Sequence, residues 1–504
     1  MKKLIIISLS IITLQSFLVS CTDAIDIDQP GILPLENAFE TVSDLQLGLL
    51  GSYSLIDGTP QIQFNSVFTD EIAIGIENGG QGLGDNTYGF ELNPTSAFPT
   101  ALWTRFYGAL NQINRIISVS ENIEVPDEDV EEFNDIRGQL FGLRAYCHFQ
   151  LHSYYSEDYE DPNALSAIVF NFPPPEEDIV NFQLPRNTNA EMYAAILEDL
   201  TVAEGLLSDQ INSSFVSIDF TLALRARLEA YRGNYGVADA LAADLLTRYD
   251  LADRDQYTDM YLNNDDDVTE VIFELTRQRN DNFDQQGTTG SAFAGGWVGA
   301  IYAFGGADID GAPYFEMGRS LFNTIDSDDI RFDVLLNPTS LIDPDYLINQ
   351  DPTTDVLLVG KYPGKTEAGQ DLLNDIKVFR ASEMVLIRAE AAADSGNLSM
   401  AANFIDMLRD ARFGSDQTAP VFGSEQEAFG AILDERRIEL AFEGHRYRDL
   451  KRLGVRGNRI ILKDPVDCAV NSACDLPSTD FRFTNPVPLV ELNGNDVVQQ
   501  TTGY

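Results

Sequence analysis

Between Asp371 and Leu453 apolar residues return with the period of a helix. Val378, Ala381, Val385, Ala389 and Ala392 recur at steps of three and four, which sets them on one helical face. Most of that face is small, so a second helix can approach it closely. Gly396 followed by Asn397 supplies the stop, because a chain commonly leaves a helix through a residue of positive φ. Ala401, Phe404, Ile405, Leu408 and Ala411 then resume the period, with Ser399 placed to cap the second helix. The pattern predicts a helical hairpin.

Ile432 to Gly454 reads as one charged helix on which Glu435, Glu439 and Glu443 fall four apart. Left alone, such a stripe of like charges repels. Arg436 and Arg446 stand three positions from Glu439 and Glu443, so the spacing predicts an ion-pair ladder, with Arg380 or Arg388 of the hairpin as further partners. A general acid needs its pKa raised by an apolar pocket, whereas arginine neighbours depress it. The stripe is therefore read as structural, and not as the carboxylate pair of a glycoside hydrolase.

The hairpin has an earlier copy. The segment from Leu224 aligns without gaps on that from Ile387, pairing Arg225 with Arg388, Gly233 with Gly396, Asn234 with Asn397 and Leu245 with Leu408. Hairpins of this kind stack because neither buries its apolar face alone. Upstream, amphipathic helices are predicted over Leu35–Asp57, Ala101–Ser118, Glu131–Tyr155 and Pro185–Leu207. Asp57 to Pro99 is rich in Gly, Asn and Thr and reads as loop. Its GGQGLG run (Gly79 to Gly84) is no phosphate loop, since the residues after it open no helix.

The expected fold is mostly α: stacked helical hairpins of tetratricopeptide-repeat type, an α-α superhelix, with long irregular loop inserts. The main interruption runs from Asn280 to about Asp371, where helical periodicity gives way to Gly, Asp, Pro and aromatics. Phe293, Trp297, Tyr302, Phe304, Tyr314 and Phe315 could not all stay solvated cheaply, so the insert is expected to be ordered. Long irregular inserts in compact proteins commonly carry function.

The segments FRASEMVLIRAEAAADSGN (Phe379 to Asn397) and ERRIELAFEGHRYRDLKR (Glu435 to Arg452) resemble the last hairpin and the signature of the SusD/RagB family of outer-membrane nutrient-binding lipoproteins. NPVPLVELNGN (Asn485 to Asn495) resembles a variant of that family's closing segment, and Asp329, Ile330 and Arg331 a variant of its Asp-x-Arg pattern. YYSEDYEDPN, beyond the helix ending at Tyr155, departs from the family's usual short Tyr-Gly loop. The resemblance implies a helical scaffold, a glycan or other nutrient as ligand, and a partner TonB-dependent, SusC-like transporter. The family's motifs do not fix its ligand contacts.

Charge narrows the partners, for 33 basic residues against 80 acidic ones leave −47 at pH 7. Such a surface repels polyanions, so nucleic acid and sulfated glycans are poor partners and neutral glycans remain open. Lys2 and Lys3, an apolar run from Leu4 to Leu14, and Leu18, Val19, Ser20, Cys21 read as an export peptide ending at a bacterial lipobox. Cys21 is the expected site of lipidation, residues 1–20 the signal, and 21–34 an acidic tether. The rest divides into helical regions 35–280 and 371–504 around the insert 281–370. Outer-membrane location facing the cell exterior follows from the resemblance.

Export meets an oxidising compartment, and Cys468 and Cys474 close one short loop, so a disulfide is expected there with Cys147 a buried free thiol. His148 and His152 lie four apart without a third ligand, and the acidic turns Asn263–Asp267 and Asp308–Gly311 continue into no calcium-loop signature. No catalytic, metal or cofactor residue is expected. The ligand surface is placed on the insert, because a flat aromatic ring matches a sugar's C–H face. Trp297 leads, Tyr302 and Tyr314 help, and Tyr88 forms an opposite wall. Gly295, Gly296 and Gly299 favour exposure of Trp297, the alternative being a plug that packs the insert on the core. The function expected is a binding lipoprotein and not an enzyme. The alternatives are a surface glycan-degrading enzyme or a structural, adhesive repeat protein.

Overall fold

The computed structural model describes residues 39–84, 86–175, 182–209, 212–278, 297–303, 313–365 and 370–504. The export peptide, the tether with Cys21, Phe293, Phe304 and the turn Asp308–Gly311 lie outside them.

The amino-terminal helices are α1 (Val42–Leu55), α2 (Thr59–Phe68), α3 (Ala97–Ser120), α4 (Val130–Tyr155) and α5 (Asn189–Leu206). Thr41 with Asp44 and Thr188 with Glu191 form capping boxes that start α1 and α5, so each begins later than its apolar stripe suggests. α2 lies inside the stretch read as loop. It shows no periodic stripe because it is buried nearly all round, Gln61, Asn65 and Ser66 included, and a helix without a solvent face has no alternation to display.

The two copies of the hairpin are α6 (Ile218–Tyr231) with α7 (Tyr235–Leu245), and α10 (Ala381–Asp394) with α11 (Leu398–Phe413). Gly233 and Gly396 take φ of 73° and 76° at the two bends, as the shared Gly-Asn turn requires. α7 packs directly on α10, so copies far apart in sequence are neighbours in space. The intervening chain is looped out. It includes α8 (Arg254–Tyr261) and α9 (Ile330–Leu335) and is closed at its root by strands β2 (Val271–Leu275) and β6 (Ile376–Arg380), which pair antiparallel from Val271↔Arg380 to Leu275↔Ile376.

Three other small ladders trim the body: β1 (Ile72–Ile74) with β3 (Phe315–Met317), β4 (Gly364–Lys365) with β5 (Gln370–Asp371), and β7 (Ile461–Leu462) with β8 (Asp475–Leu476). One apolar core runs through most of the molecule. A second lies where Val385 and Leu386 meet Phe404, Ile405, Phe429 and Ile432. No helix among the described residues is long and apolar enough to cross a membrane.

The charged helix is two helices. α12 (Glu425–Glu439) stops, Phe442 and Gly444 take φ of 63° and 80°, and α13 (Arg446–Gly457) begins in a new direction. The exposed carbonyls of this turn are taken by side chains: Arg380 donates to that of Glu439, Lys361 to Ala441, Tyr362 to Phe442 and Arg448 to Gly444. Glu443 therefore sits in the turn and not on a helical stripe.

The three glutamates are nevertheless paired, and deeply. Arg380 lies 2.9 Å from Glu439 and 2.7 Å from Glu443, Arg412 lies 2.8 Å from Glu439, and Arg331 of α9 reaches Glu435 at 2.7 Å. Burial would raise the Glu439 carboxyl, but Arg412 and Arg380 outweigh it and hold it well below the usual carboxylate range. Arg436 and Arg446 take other partners, Asp449 at 2.7 Å and Asp70 at 2.8 Å, because the break turns α13 towards the amino-terminal part of the body. Arg388 pairs with Asp239 at 2.9 Å and so ties one hairpin copy to the other.

Candidate functional site

A cleft of about 420 Å³ opens where four distant segments converge. Its floor is the β1–β3 ladder, with Ala73 opposite Glu316 and Ile74 and Ile76 beside them. One wall is the segment carrying Tyr346, Leu347 and Gln350. The other is Pro465 to Val470, a one-turn helix that runs into the Cys468–Cys474 disulfide.

Local hydrogen bonds fix both walls. Asp343 accepts from the Asp345 amide at 2.8 Å and from the Asn349 side chain at 2.7 Å, which folds the turn that presents Tyr346. Asp464 joins the walls: Oδ1 accepts from the Val466 amide at 2.9 Å and caps the short helix, while Oδ2 accepts from the Tyr346 hydroxyl at 3.0 Å. Asn323 donates to the same hydroxyl at 3.0 Å. The Arg319 guanidinium stacks 3.9 Å from the centre of the Tyr346 ring and donates to Asp355 at 2.9 Å. A ring has two faces, and Arg319 occupies one. The half-buried ring is thus held at its edge and from one side along the cleft.

Two buried acids complete the site. Burial, with the charges of Asp467 and Asp355, pushes Glu316 up to about 8. Burial, with Asp464 and Asp355, pushes Asp467 up to about 7 against the Arg319 amide, which donates to it at 2.7 Å. Near neutral pH Glu316 thus keeps its proton while Asp467 is about half ionised, so the pair can both donate to and accept from a hydroxylated ligand.

The aromatics expected to bind lie elsewhere. Trp297 is 3% exposed and Tyr302 fully buried, its hydroxyl 3.2 Å from Ser66 and its ring packed edge-on against Phe442. The glycine reasoning fails at Gly299 for a physical reason: an added Cβ would stand 2.5 Å from the Tyr362 carbonyl oxygen, so this glycine serves close packing and not exposure. Tyr314 is half-buried, packed edge-on against Phe315 beside the floor strand. Tyr88 is buried behind the cleft, where its hydroxyl donates to the Asp467 carbonyl at 3.2 Å and Lys463 stands 3.4 Å from the centre of its ring. Trp297 and Tyr302 pack the insert onto the body, and Tyr88 braces one wall of the cleft.

Sequence reasoning missed Tyr346, Glu316 and Asp467. The available signal was local: an aromatic just after Asp343 and Asp345, in a turn whose aspartates fold their own backbone. The histidine pair fills the core. His152 shares its two ring nitrogens between Ser166 and Tyr193, and His148 accepts from the Phe170 amide. Cys147 is a buried free thiol. A second cleft of about 290 Å³ holds Lys451 and Tyr231, but Glu157 and Asp480 at its edge are taken by Thr502 and Arg482 of the chain itself.

Two family models match the chain. One, the SusD family, covers residues 356–504, and another, described as starch-binding associating with outer membrane, covers residues 70–224. SusD-like protein P2 of Formosa agariphila is 26% identical over 98% of this chain and 99% of its own length. Among solved structures, a SusD superfamily protein of Bacteroides thetaiotaomicron superposes with a TM-score of 0.74 at 21% identity, covering 92% of this chain and 99% of that one. A laminarin-binding SusD-like protein superposes at 0.69 with 19% identity, covering 92% and 100%. One matched segment precedes the looped-out insert and the other begins near the insert's end, and relatives align along nearly the whole of the helical body that holds the cleft. On these grounds the chain is similar to the SusD/RagB family in two separate segments and along nearly its whole length.

Proposed function

We propose that this protein captures a glycan at the cell surface and passes it to a partner TonB-dependent, SusC-like transporter in the outer membrane, to which Cys21 anchors it by lipid, facing the exterior. The observation that carries the reading is Tyr346, a ring stacked by Arg319 and held by Asp464 and Asn323 at the edge of a cleft whose floor sets Ala73, Ile74 and Ile76 beside Glu316. Pre-ordering a ring in this way reduces what binding must spend in side-chain entropy. A laminarin-binding neighbour and a family model described by starch binding support a sugar as ligand.

A glycoside hydrolase acting at this cleft would release new reducing ends, which a binding protein does not. Calorimetry with laminari-oligosaccharides and a panel of other neutral oligosaccharides tests the reading. Tyr346→Ala should weaken binding about tenfold at temperatures well below the variant's own melting point, and no new reducing ends should form. Unchanged affinity in the variant would remove the site from this cleft. Cys21→Ala should release the protein from membranes, and co-purification with a large β-barrel should identify the transporter.

A further inference from the structure

The charges around the cleft specify more than its shape. Among the described residues, four that bear carboxyls line it, Glu316, Asp351, Asp355 and Asp467, and no lysine or arginine does. Arg319 stands behind the Tyr346 ring with one arm on Asp355. Whatever their protonation, these groups contribute negative charge or none. An anionic ligand would find no counter-ion and would lose its own hydration on entry.

Resting on the reading of this cleft as the glycan site, we propose that the sugar unit it holds is uncharged, and that Glu316 and Asp467 inside it and Asp351 at its mouth exclude sulfated and uronic units. Glu316 supports a hydroxyl partner directly: it is 6% exposed, and its Oε1 makes no hydrogen bond within the protein. A buried oxygen without a partner is costly, and a ligand hydroxyl or its bridging water would relieve it. A sulfate or carboxylate offers that oxygen no proton. Asp351 differs from the two buried acids, since its carboxylate accepts from the Thr353 side chain and amide and these hold it below the usual range. It therefore stays charged at the entrance over the whole working range of pH.

The test compares neutral laminari-, cello- and xylo-oligosaccharides with oligoguluronate, oligomannuronate and sulfated galactan fragments of similar length, on wild type, Glu316→Gln, Asp467→Asn and Asp351→Lys. Wild type should bind at least one neutral series more than about tenfold tighter than any anionic one at physiological salt, with the gap widening at low salt. Asp351→Lys reverses the charge at the mouth and should raise anionic affinity several-fold relative to neutral affinity, read below the variant's own melting temperature because the Thr353 contacts are lost with the carboxylate. Glu316→Gln and Asp467→Asn imitate the protonated acids, so they should leave the ratio of neutral to anionic affinity nearly unchanged at about pH 6 and narrow it above about pH 8, where the wild-type carboxyls ionise. Anionic oligomers that bind wild type as tightly as neutral ones, both lost in Tyr346→Ala, would overturn the selectivity and leave the glycan site standing. Binding of any sugar that Tyr346→Ala leaves untouched would overturn the site itself, and binding of none would overturn both.

Discussion

Arg380 Nη1 lies 2.9 Å from Glu439 Oε1, and neither side chain is more than 1% exposed. The pair joins the root of the insert to the end of α12, and Arg380 also holds the Glu439 carbonyl that α12 leaves open. Breaking it strands a buried charge, which is worse than never having had the pair. Glu439→Gln should therefore cost about 3 to 5 kcal/mol in denaturant unfolding while sugar affinity in the folded protein stays unchanged. A loss of affinity at full stability would show that the ladder is part of the site.

Trp297→Ala should behave as a core truncation. The ring is almost wholly buried beside a glycine that packs against the Tyr362 carbonyl. Removing it should cost about 3 to 5 kcal/mol, with affinity at Tyr346 retained below the new melting point. An intact melting temperature with lost binding would return the ligand surface to the insert.

These two sites show where the sequence could be read and where it could not. The hairpins were legible because apolar steps of three and four and a Gly-Asn bend are local signals, repeated once from Leu224 and once from Ile387. The structural role of Glu435, Glu439 and Glu443 was legible from their arginine neighbours, but the break after Glu439 was not. It is held by Arg380, Lys361 and Tyr362, which lie 59 to 80 residues away in the chain. Helix α2 was hidden by complete burial. The cleft was hidden because the floor, Tyr346 and Asp467 come from segments with no shared pattern. Trp297 misled because a glycine beside an aromatic fits both a bare loop and a tight contact, and only the neighbour across the gap decides.

Glu71 gives a pH prediction with a definite sign. It is fully buried, accepts from Ser66 at 3.0 Å and from the Phe442 amide at 3.3 Å, and burial pushes it up to about 7 from 4.5. The folded state thus keeps a proton that the unfolded chain releases between these values. Its contribution is complete below about pH 4.5 and is lost as pH rises through about 7. Glu71→Gln imitates the protonated form at every pH. Its stability relative to wild type should rise by on the order of 3 kcal/mol between pH 4.5 and 8 and then level off. A difference that stays flat across that range would show the carboxyl ionised in the fold.

Cys468 and Cys474 are bonded six positions apart, and the loop they close begins within the cleft wall, with Asp467 just before it and Ala469 and Val470 inside it. A loop this short constrains few unfolded conformations, so its loss should cost only about 2 kcal/mol of global stability. Its local effect should be larger. Cys468 is buried, its amide donates to Asp464 at 3.0 Å, and Asp464 also holds the Tyr346 hydroxyl. Releasing the bond therefore loosens Asp467 and Tyr346 together. Thiol counting on unfolded, unreduced mature protein should find Cys147 reactive and these two silent. Cys468→Ser with Cys474→Ser should lower sugar affinity several-fold while the far hairpins, followed by hydrogen exchange of α10 and α11, keep their protection. Protection lost throughout the body, or affinity untouched, would show that the bond serves the fold as a whole and not the wall.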